Sequence, residues 1–404
     1  MGEYIPIFDS KGNVTRFIVL GSDILLVYDK NGENYYLCLD GTRCFKINDY
    51  IRNETLVVND HKISLRIILD TSPTLHGYVA YDFDEYIRYL SKLVKDSIVD
   101  KKIVLSYSGG KDSTAALITL IELQNYIPFK IYPIYVHMPF LESPENLNYI
   151  SEIGDKLGVE IKVLEADREY MRQKLLTFGM PIRGYRWCTY QKIKAYRKIK
   201  KRIKADLEVI GDRISETYKR FKTLIQYAIQ RKFIIGKQFK PTFLFTILDV
   251  IKIVRDYKLI HPDYLEGNWR VSCSLCPYRI APEIKIKSLD IEDPEFISKV
   301  LYETYNKHYN AMLSFKDFVE LSIWRYAPER AKILLKIREN MLKQSSIEYI
   351  EFRTINDWLK SIWVNKLPSN PVFTVDEAIE IWKTTNEKGL NALLNPPKNL
   401  LSPN

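Results

Sequence analysis

Along residues 1–80 the hydrophobic positions fall in short β-branched and aromatic runs: "RFIVLGSDILLVYD", "NYYLCLDG", "TLVVND" and "KISLRIILD". The turn-forming stretches "KNGEN", "DGTR" and "VVNDHK" punctuate them, which predicts a small antiparallel β domain, a barrel or a sandwich. From about residue 82 the period changes. "DEYIRYLSKLVKDSIV" has apolar residues at helical spacing, "KIVLSYS" reads as a short buried strand and "STAALITLIELQNY" as a helix. The strand "KIYPIYVH", a helix around "ENLNYISEIGDKLG" and the strands "EIKVLEAD" and "DLEVIGDR" follow. Strands alternating with helices predict an α/β fold, a parallel sheet with helices on both faces. Beyond about residue 283 strand signals vanish, and "DPEFISKVLYETYNKHYNAML", "PERAKILLKIRENMLKQ", "TINDWLKSIWVN" and "TVDEAIEIWKTT" read as capped amphipathic helices. The expected organisation is a small β-rich domain (1–80), an α/β domain (81–282) and an α-helical domain (283–404). The closing "NPPKNLLSPN" reads as a loose tail.

Composition narrows the class. Hydrophobic residues make up 46% and charged residues 27% of 404 positions, a globular balance. "FLFTIL" is among the longest apolar runs, far below the roughly 18–20 residues that span a bilayer. "MGEYIPIFDSKGN" shows no secretory signal, so a cytoplasmic protein without a membrane partner is expected. Net charge is +10, and "KIKAYRKIKKRIK" at 192–204 holds eight basic residues and no acid. That run fits either a nucleic-acid footprint or a solvated helix face. Cysteines stand at 38, 44, 188, 273 and 276, too few and scattered for a disulfide framework. Cys273 and Cys276 form a CxxC, which points to metal or redox work in a reducing compartment.

The sharpest local signal is "SYSGGKDS" at 106–113. A glycine turn after a strand and before a helix converges backbone N–H groups on an anion, and the helix N-terminus adds partial positive charge. Gly109 and Gly110 are adjacent, so the four-residue spacing of a Walker A loop is missing, and GxGxxG is absent too.

Ser-Gly-Gly-Lys-Asp-Ser instead resembles the PP-loop of the ATP pyrophosphatase superfamily, whose sheet is Rossmann-like. The resemblance implies that Ser106, Ser108, Gly109, Gly110, Lys111, Asp112 and Ser113 line a phosphate site for ATP or a sulfonucleotide. Three further stretches are similar to the phosphoadenylyl-sulfate (PAPS) reductase family. In "GMPIRGYRWCTYQKIKAY" the residues Gly179, Pro181, Arg186, Trp187, Cys188 and Lys192 match, although the family's closing proline is missing near Ala195 and Tyr196. In "VIGDRISETYKR" the matches are Gly211, Arg213, Glu216 and Arg220, with Thr217 in place of serine. Planar guanidinium forks pair phosphate or sulfate oxygens bidentately. In the last stretch Tyr264, Gly267, Cys273, Cys276 and Pro277 carry the match. The resemblance spans roughly residues 84–282. It implies nucleotide contacts from Arg186, Gly211 and Arg213, and catalytic roles for Lys111, Asp112, Arg213 and Arg220 with Mg²⁺ assisting. Pro144 and Glu145 are kept after the second strand, but His137, Met138 and Pro139 replace the family's Asp-Thr-Gly. His137 is thus either a nucleotide contact or a structural histidine.

In cluster-bearing branches of the family a Cys or Cys-Cys after the arginine is followed some 80 residues later by CxxC. Here Trp187 takes the first place of the pair, so the resemblance implies three thiolates, Cys188, Cys273 and Cys276, around a [4Fe–4S] cluster. Cys38 or Cys44 as a fourth ligand, a zinc site, and a purely structural cysteine pair stay open. The true reductases also need a nucleophilic cysteine near the C-terminus, and no cysteine follows Cys276. The expectation is therefore ATP-dependent adenylation with pyrophosphate release, coupled to iron–sulfur-dependent sulfur transfer to an acceptor such as tRNA or DNA. The sulfur or electron donor is open, as is a homodimer. The alternatives are PAPS or adenylyl-sulfate reduction and a non-catalytic nucleotide-binding module.

Overall fold

The computed structural model describes residues 3–21, 23–39, 41–65, 74–287, 291–344 and 346–388. The end of "KISLRIILD" (66–70) and the C-terminal tail (389–404) lie outside the described residues.

The N-terminal region forms strands β1 (Ile5–Phe8), β2 (Val14–Gly21), β3 (Ile24–Asp29), β4 (Gly32–Leu37) and β5 (Arg43–Lys46). A separate three-stranded sheet contains β6 (Ile51–Arg52), β7 (Thr55–Val58) and β8 (His61–Ser64). Neighbouring strands in both sheets run antiparallel, as the alternating runs and turn residues predict.

The central region opens with α1 (Phe83–Ile98), whose N-cap Asp82 accepts the Glu85 N–H. It continues through β9 (Lys102–Tyr107), α2 (Lys111–Gln124), β10 (Lys130–His137), α3 (Glu145–Leu157), β11 (Lys162–Glu165), α4 (Arg168–Phe178) and α5 (Trp187–Ile203). Then come β12 (Leu207–Val209), α6 (Tyr218–Ile229), β13 (Ile234–Ile235), β14 (Gln238–Phe239), α7 (Ile247–Asp256) and the short α8 (Pro262–Leu265). The sheet order is β11-β10-β9-β12-β14-β13, parallel except for the last pair. The chain leaves β9 toward β10 and β11, then returns to place β12 on the other side of β9. Ligands of open α/β sheets bind at such a switch point, beyond the carboxyl ends of the strands. Both the glycine loop after β9 and the Gly211–Arg213 turn after β12 emerge there.

Because side chains alternate along a strand, β9 feeds two cores: Ile103, Leu105 and Tyr107 join one cluster and Val104 the other. Helices α1, α2 and α7 pack in the first, whereas α5 crosses β9, β10 and β11 on the opposite face.

The C-terminal region contributes α9 (Ala281–Lys287), α10 (Pro294–His308), α11 (Phe315–Glu320) and α12 (Pro328–Leu342). It then departs from the all-helical expectation. Strand β15 (Tyr349–Glu351) pairs antiparallel with β5 and closes the N-terminal sheet, before α13 (Phe352–Val364) and α14 (Val375–Lys388). Three residues are too few for a strand period to show. Helix α13 packs on both β1 and α8, so the two terminal regions meet against the central domain.

Candidate functional site: a glycine loop beside three cysteines

The loop is held from within. The Ser113 hydroxyl reaches Ser108 Oγ at 3.0 Å and the Gly110 carbonyl at 2.9 Å, and the Ser108 N–H donates to Ser113 Oγ at 3.2 Å. Gly109 has φ +75, a left-handed conformation that a glycine adopts without steric cost. Gly110 caps α2, whose first-turn N–H groups face the loop. Ser106 is exposed on β9, apart from this hydroxyl cluster.

A second segment covers the loop. The hydroxyl of Tyr264 in α8 accepts the Lys111 N–H at 2.8 Å. The Lys111 ammonium lies 4.4 Å from the Trp269 ring centroid and 3.1 Å from Asp112 Oδ2. Behind them, Trp363 of α13 stacks on Tyr264 at 4.5 Å. A polar cavity of about 50 Å³ between Asn146, Tyr149, His261, Asp263, Ser272 and Arg279 adjoins this cover. Its size admits water, not a nucleotide.

Arg213 is fully buried. Its Nε donates to Asp112 Oδ1 at 2.6 Å, and its terminal nitrogens hold both oxygens of Glu3, at 2.9 and 2.7 Å. Burial works to raise the Asp112 carboxyl, but Lys111 and Arg213 together hold it well below the usual carboxylate range. Burial likewise opposes the Arg213 charge, and Glu3 and Asp112 more than offset it. In this arrangement the Arg213 charge is shared between two carboxylates, which braces Asp112 and the start of α2. Gly211 lies against the same turn, where an added Cβ would come within 2.6 Å of the Asp112 carbonyl oxygen. Arg220 is part-exposed, lies in the first turn of α6, and pairs with Glu216. His137 is buried at the end of β10, with Nδ1 3.7 Å from Glu142 Oε2.

Cys188 sits in the first turn of α5, and Cys273 and Cys276 in the loop after α8; all three are free thiols. They share one electrostatic environment with Lys192 and Glu142. Burial pushes the Cys273 thiol well up, helped by Glu142 and opposed by Lys192; burial and Cys276 push Cys188 up, opposed by Arg186. As donors the three thiols suit a thiolate-bound cluster or zinc, which would have to displace their protons. Among the described residues no group of three or more His, Cys, Asp or Glu side chains is gathered for a metal ion, so the thiols would have to turn toward a common centre. Cys38 and Cys44 are joined to each other as a disulfide within the N-terminal region. That removes them as candidates for a fourth ligand.

Arg279 ties the two halves of the site together. Its guanidinium donates to the Ser272 and Cys273 carbonyls at 2.9 and 3.2 Å, to Asn268 at 3.1 Å and to Asp263 at 3.0 Å. The loop cover and the CxxC therefore hang on one buried arginine. Neither Arg279, Trp269 nor Glu3 stands out in the sequence. Glu3 lies 210 positions from Arg213, beyond any local pattern, and Arg279 follows the CxxC without a motif of its own.

A strand–loop–helix with this hydroxyl-braced glycine turn, at the switch point of a parallel sheet, is the arrangement of a Rossmann-like PP-loop fold. Residues 102–278 match the phosphoadenosine phosphosulfate reductase domain. An uncharacterized protein of Methanocaldococcus jannaschii is 28% identical over 258 residues, 61% of this chain and 51% of that protein. The chain thus spans about half the length of the curated relative it matches. Among solved structures, a U34-tRNA thiolase of Methanococcus maripaludis with its [4Fe–4S] cluster aligns over 65% of this chain and 83% of its own, at 17% identity and TM-score 0.35. An NH3-dependent NAD synthetase of Campylobacter jejuni aligns over 61% and 91%, at 13% identity and TM-score 0.28. Neither likeness bears on the activity of this chain. Among the described residues no helix is long and apolar enough to cross a membrane.

Proposed function

We propose that this protein binds ATP on the 108–113 loop and activates an acceptor by adenylation. A nucleophilic oxygen of the acceptor attacks the α-phosphorus, the new P–O bond forms as the bond to the β-phosphate bridge breaks, and pyrophosphate leaves with the electron pair. The N–H groups at the start of α2 and the Lys111 ammonium would offset charge on the departing phosphates, with Mg²⁺ as the usual partner of such a triphosphate. Entry of the phosphates exchanges the Tyr264 hydroxyl on the Lys111 N–H for a phosphate oxygen. Asp112, fixed by Arg213, keeps Lys111 oriented, and Arg220 at the rim and Arg186 at the cysteine side are the remaining cations for the nucleotide.

The observation that carries the reading is the pairing of a complete PP-loop with three free cysteines linked to its cover through Arg279. A [4Fe–4S] cluster held by Cys188, Cys273 and Cys276 would supply a sulfur-handling centre, and zinc is the alternative occupant. In the coupled reaction a sulfide-equivalent donor forms a C–S bond at the activated carbon while AMP leaves with the C–O electron pair. A nucleic acid is the acceptor class favoured by the basic run on α5.

The family match favours one second reading, reduction of a sulfonucleotide. Incubating anaerobically prepared protein with ATP, and separately with PAPS or adenylyl sulfate plus thioredoxin, distinguishes them. Pyrophosphate from ATP supports adenylation; sulfite from the sulfonucleotide overturns it. Tight ATP binding with neither product would leave a non-catalytic module.

A further inference from the structure

A band of exposed aromatic rings and unpaired cations runs from the cysteines across α4 and α5. Tyr190 is 62%, Tyr185 54% and Phe178 49% exposed, unusual for rings of this size on one small area. They are linked by contacts. Arg186 stands 4.7 Å over the Tyr278 ring, Phe178 and Tyr185 lie 6.4 Å apart edge to face, and Lys174 sits 4.2 Å over Phe178. Lys174 and Lys194 share Tyr170, at 5.2 and 5.8 Å. The band begins at the cysteines, since Arg186 lies two residues before Cys188 and Tyr278 two after Cys276.

Helix periodicity extends it. Tyr190, Lys194, Arg197 and Lys201 recur at i, i+4, i+7 and i+11, one stripe of α5, while Trp187, Gln191, Tyr196 and Ile199 are buried. Lys200 pairs with Glu208, but Arg197, Lys198, Lys201 and Arg202 make no ion pair among the described residues. A merely solvated helix face does not need exposed rings threaded between its cations. Rings that stack on bases and cations that track phosphates are what a single-stranded nucleic acid requires, whereas a duplex hides its base faces.

We propose that this band is a docking surface for single-stranded nucleic acid, either a single strand or an unpaired loop, leading to the three cysteines. It rests on the nucleic-acid acceptor of the preceding section and specifies its form and its path. Among other occupants, an acidic protein segment would use the cations but not need the flat faces of Tyr185 and Tyr190.

The test is fluorescence anisotropy of the full chain, without ATP, against a labelled mixed-sequence 20-nucleotide RNA, the same strand as DNA, and the RNA duplex. Salt-sensitive binding of the single strands, at least tenfold tighter than the duplex, is expected. A Tyr185→Ala/Tyr190→Ala variant should bind about tenfold more weakly, consistent with lost stacking. A Lys194→Glu/Lys198→Glu variant should weaken binding and flatten its salt dependence, whereas Lys336→Glu on α12 should not. Ultraviolet crosslinking of 4-thiouridine RNA to the unmodified protein provides a second readout that needs no variant, with adducts expected within residues 170–202 or at Tyr278. Equal affinity for duplex, undiminished binding by both double variants, or crosslinks confined elsewhere would overturn the proposal. Because binding is read without ATP, strand binding without pyrophosphate release would defeat the adenylation reading alone. Pyrophosphate release without strand binding would defeat this surface alone.

Discussion

Arg213 Nε lies 2.6 Å from Asp112 Oδ1 while its other nitrogens grip Glu3, so two buried charges and a part-buried carboxylate brace the N-terminus of the helix that follows the glycine loop. Removing one member of such a group strands the others without compensation, at a cost of about 3–5 kcal/mol. Arg213→Ala should therefore lower unfolding free energy by roughly that amount. Arg213→Lys should recover little, because an ammonium cannot reproduce the fork. Chemical denaturation checks both. An arginine that served only to bind phosphate would leave stability unchanged.

Gly211 reports on the same junction. A Cβ there would meet the Asp112 carbonyl oxygen at 2.6 Å and the Ser113 nitrogen at 3.1 Å. Gly211→Ala should cost about 1–3 kcal/mol through overpacking. Because the clash falls on the first turn of α2, ATP affinity measured by calorimetry should drop at least tenfold.

His76, against the Phe17 ring at 4.7 Å, contributes to the pH dependence of stability. Burial pushes its pKa from the ordinary 6.5 down to about 4. The folded state therefore holds it neutral while the unfolded chain protonates below about pH 6.5. Its contribution is fully present above pH 6.5 and is lost as the pH falls toward 4. The Asp249 carboxyl, raised to about 6 by burial, acts in the opposite direction over much of the same range. The readout is therefore a difference: in His76→Phe the urea midpoint should fall less, or rise more, between pH 6.5 and 4 than in the parent. An unchanged slope in the variant would assign the acid sensitivity to other groups.

The three free thiols make a spectroscopic prediction. Anaerobically purified protein should show a broad band near ~400 nm with iron and sulfide in matching amounts, and Cys188→Ala should lose it. A colourless protein carrying zinc would remove the sulfur-handling centre from the account.

What could be read from the chain was what is encoded locally. The "SYSGGKDS" loop lies between a strand and a helix in the sequence, and the structure keeps it there, braced by Ser108 and Ser113. The β-rich start and the alternating centre have periods long enough to show. The rest is set by tertiary contacts. Whether Arg213 faces a phosphate or a carboxylate depends on Glu3, which only the folded chain brings near. Strand β15 is too short to carry a period, and its pairing with β5 crosses some 300 residues. Cys38 and Cys44 meet because β4 and β5 are neighbours, so their bond follows from the hairpin rather than from their spacing. Arg279 gathers the loop cover and the CxxC through backbone carbonyls, which no side-chain pattern announces.

The most direct test of the central claim follows the phosphates of ATP labelled at the α-position, with the anaerobic protein, Mg²⁺ and single-stranded RNA. AMP or an adenylylated acceptor should appear together with pyrophosphate, and Lys111→Ala should abolish both while the protein stays folded. Labelled ADP with free phosphate, or a Lys111→Ala variant as active as the parent, would contradict cleavage at the α-phosphorus on this loop.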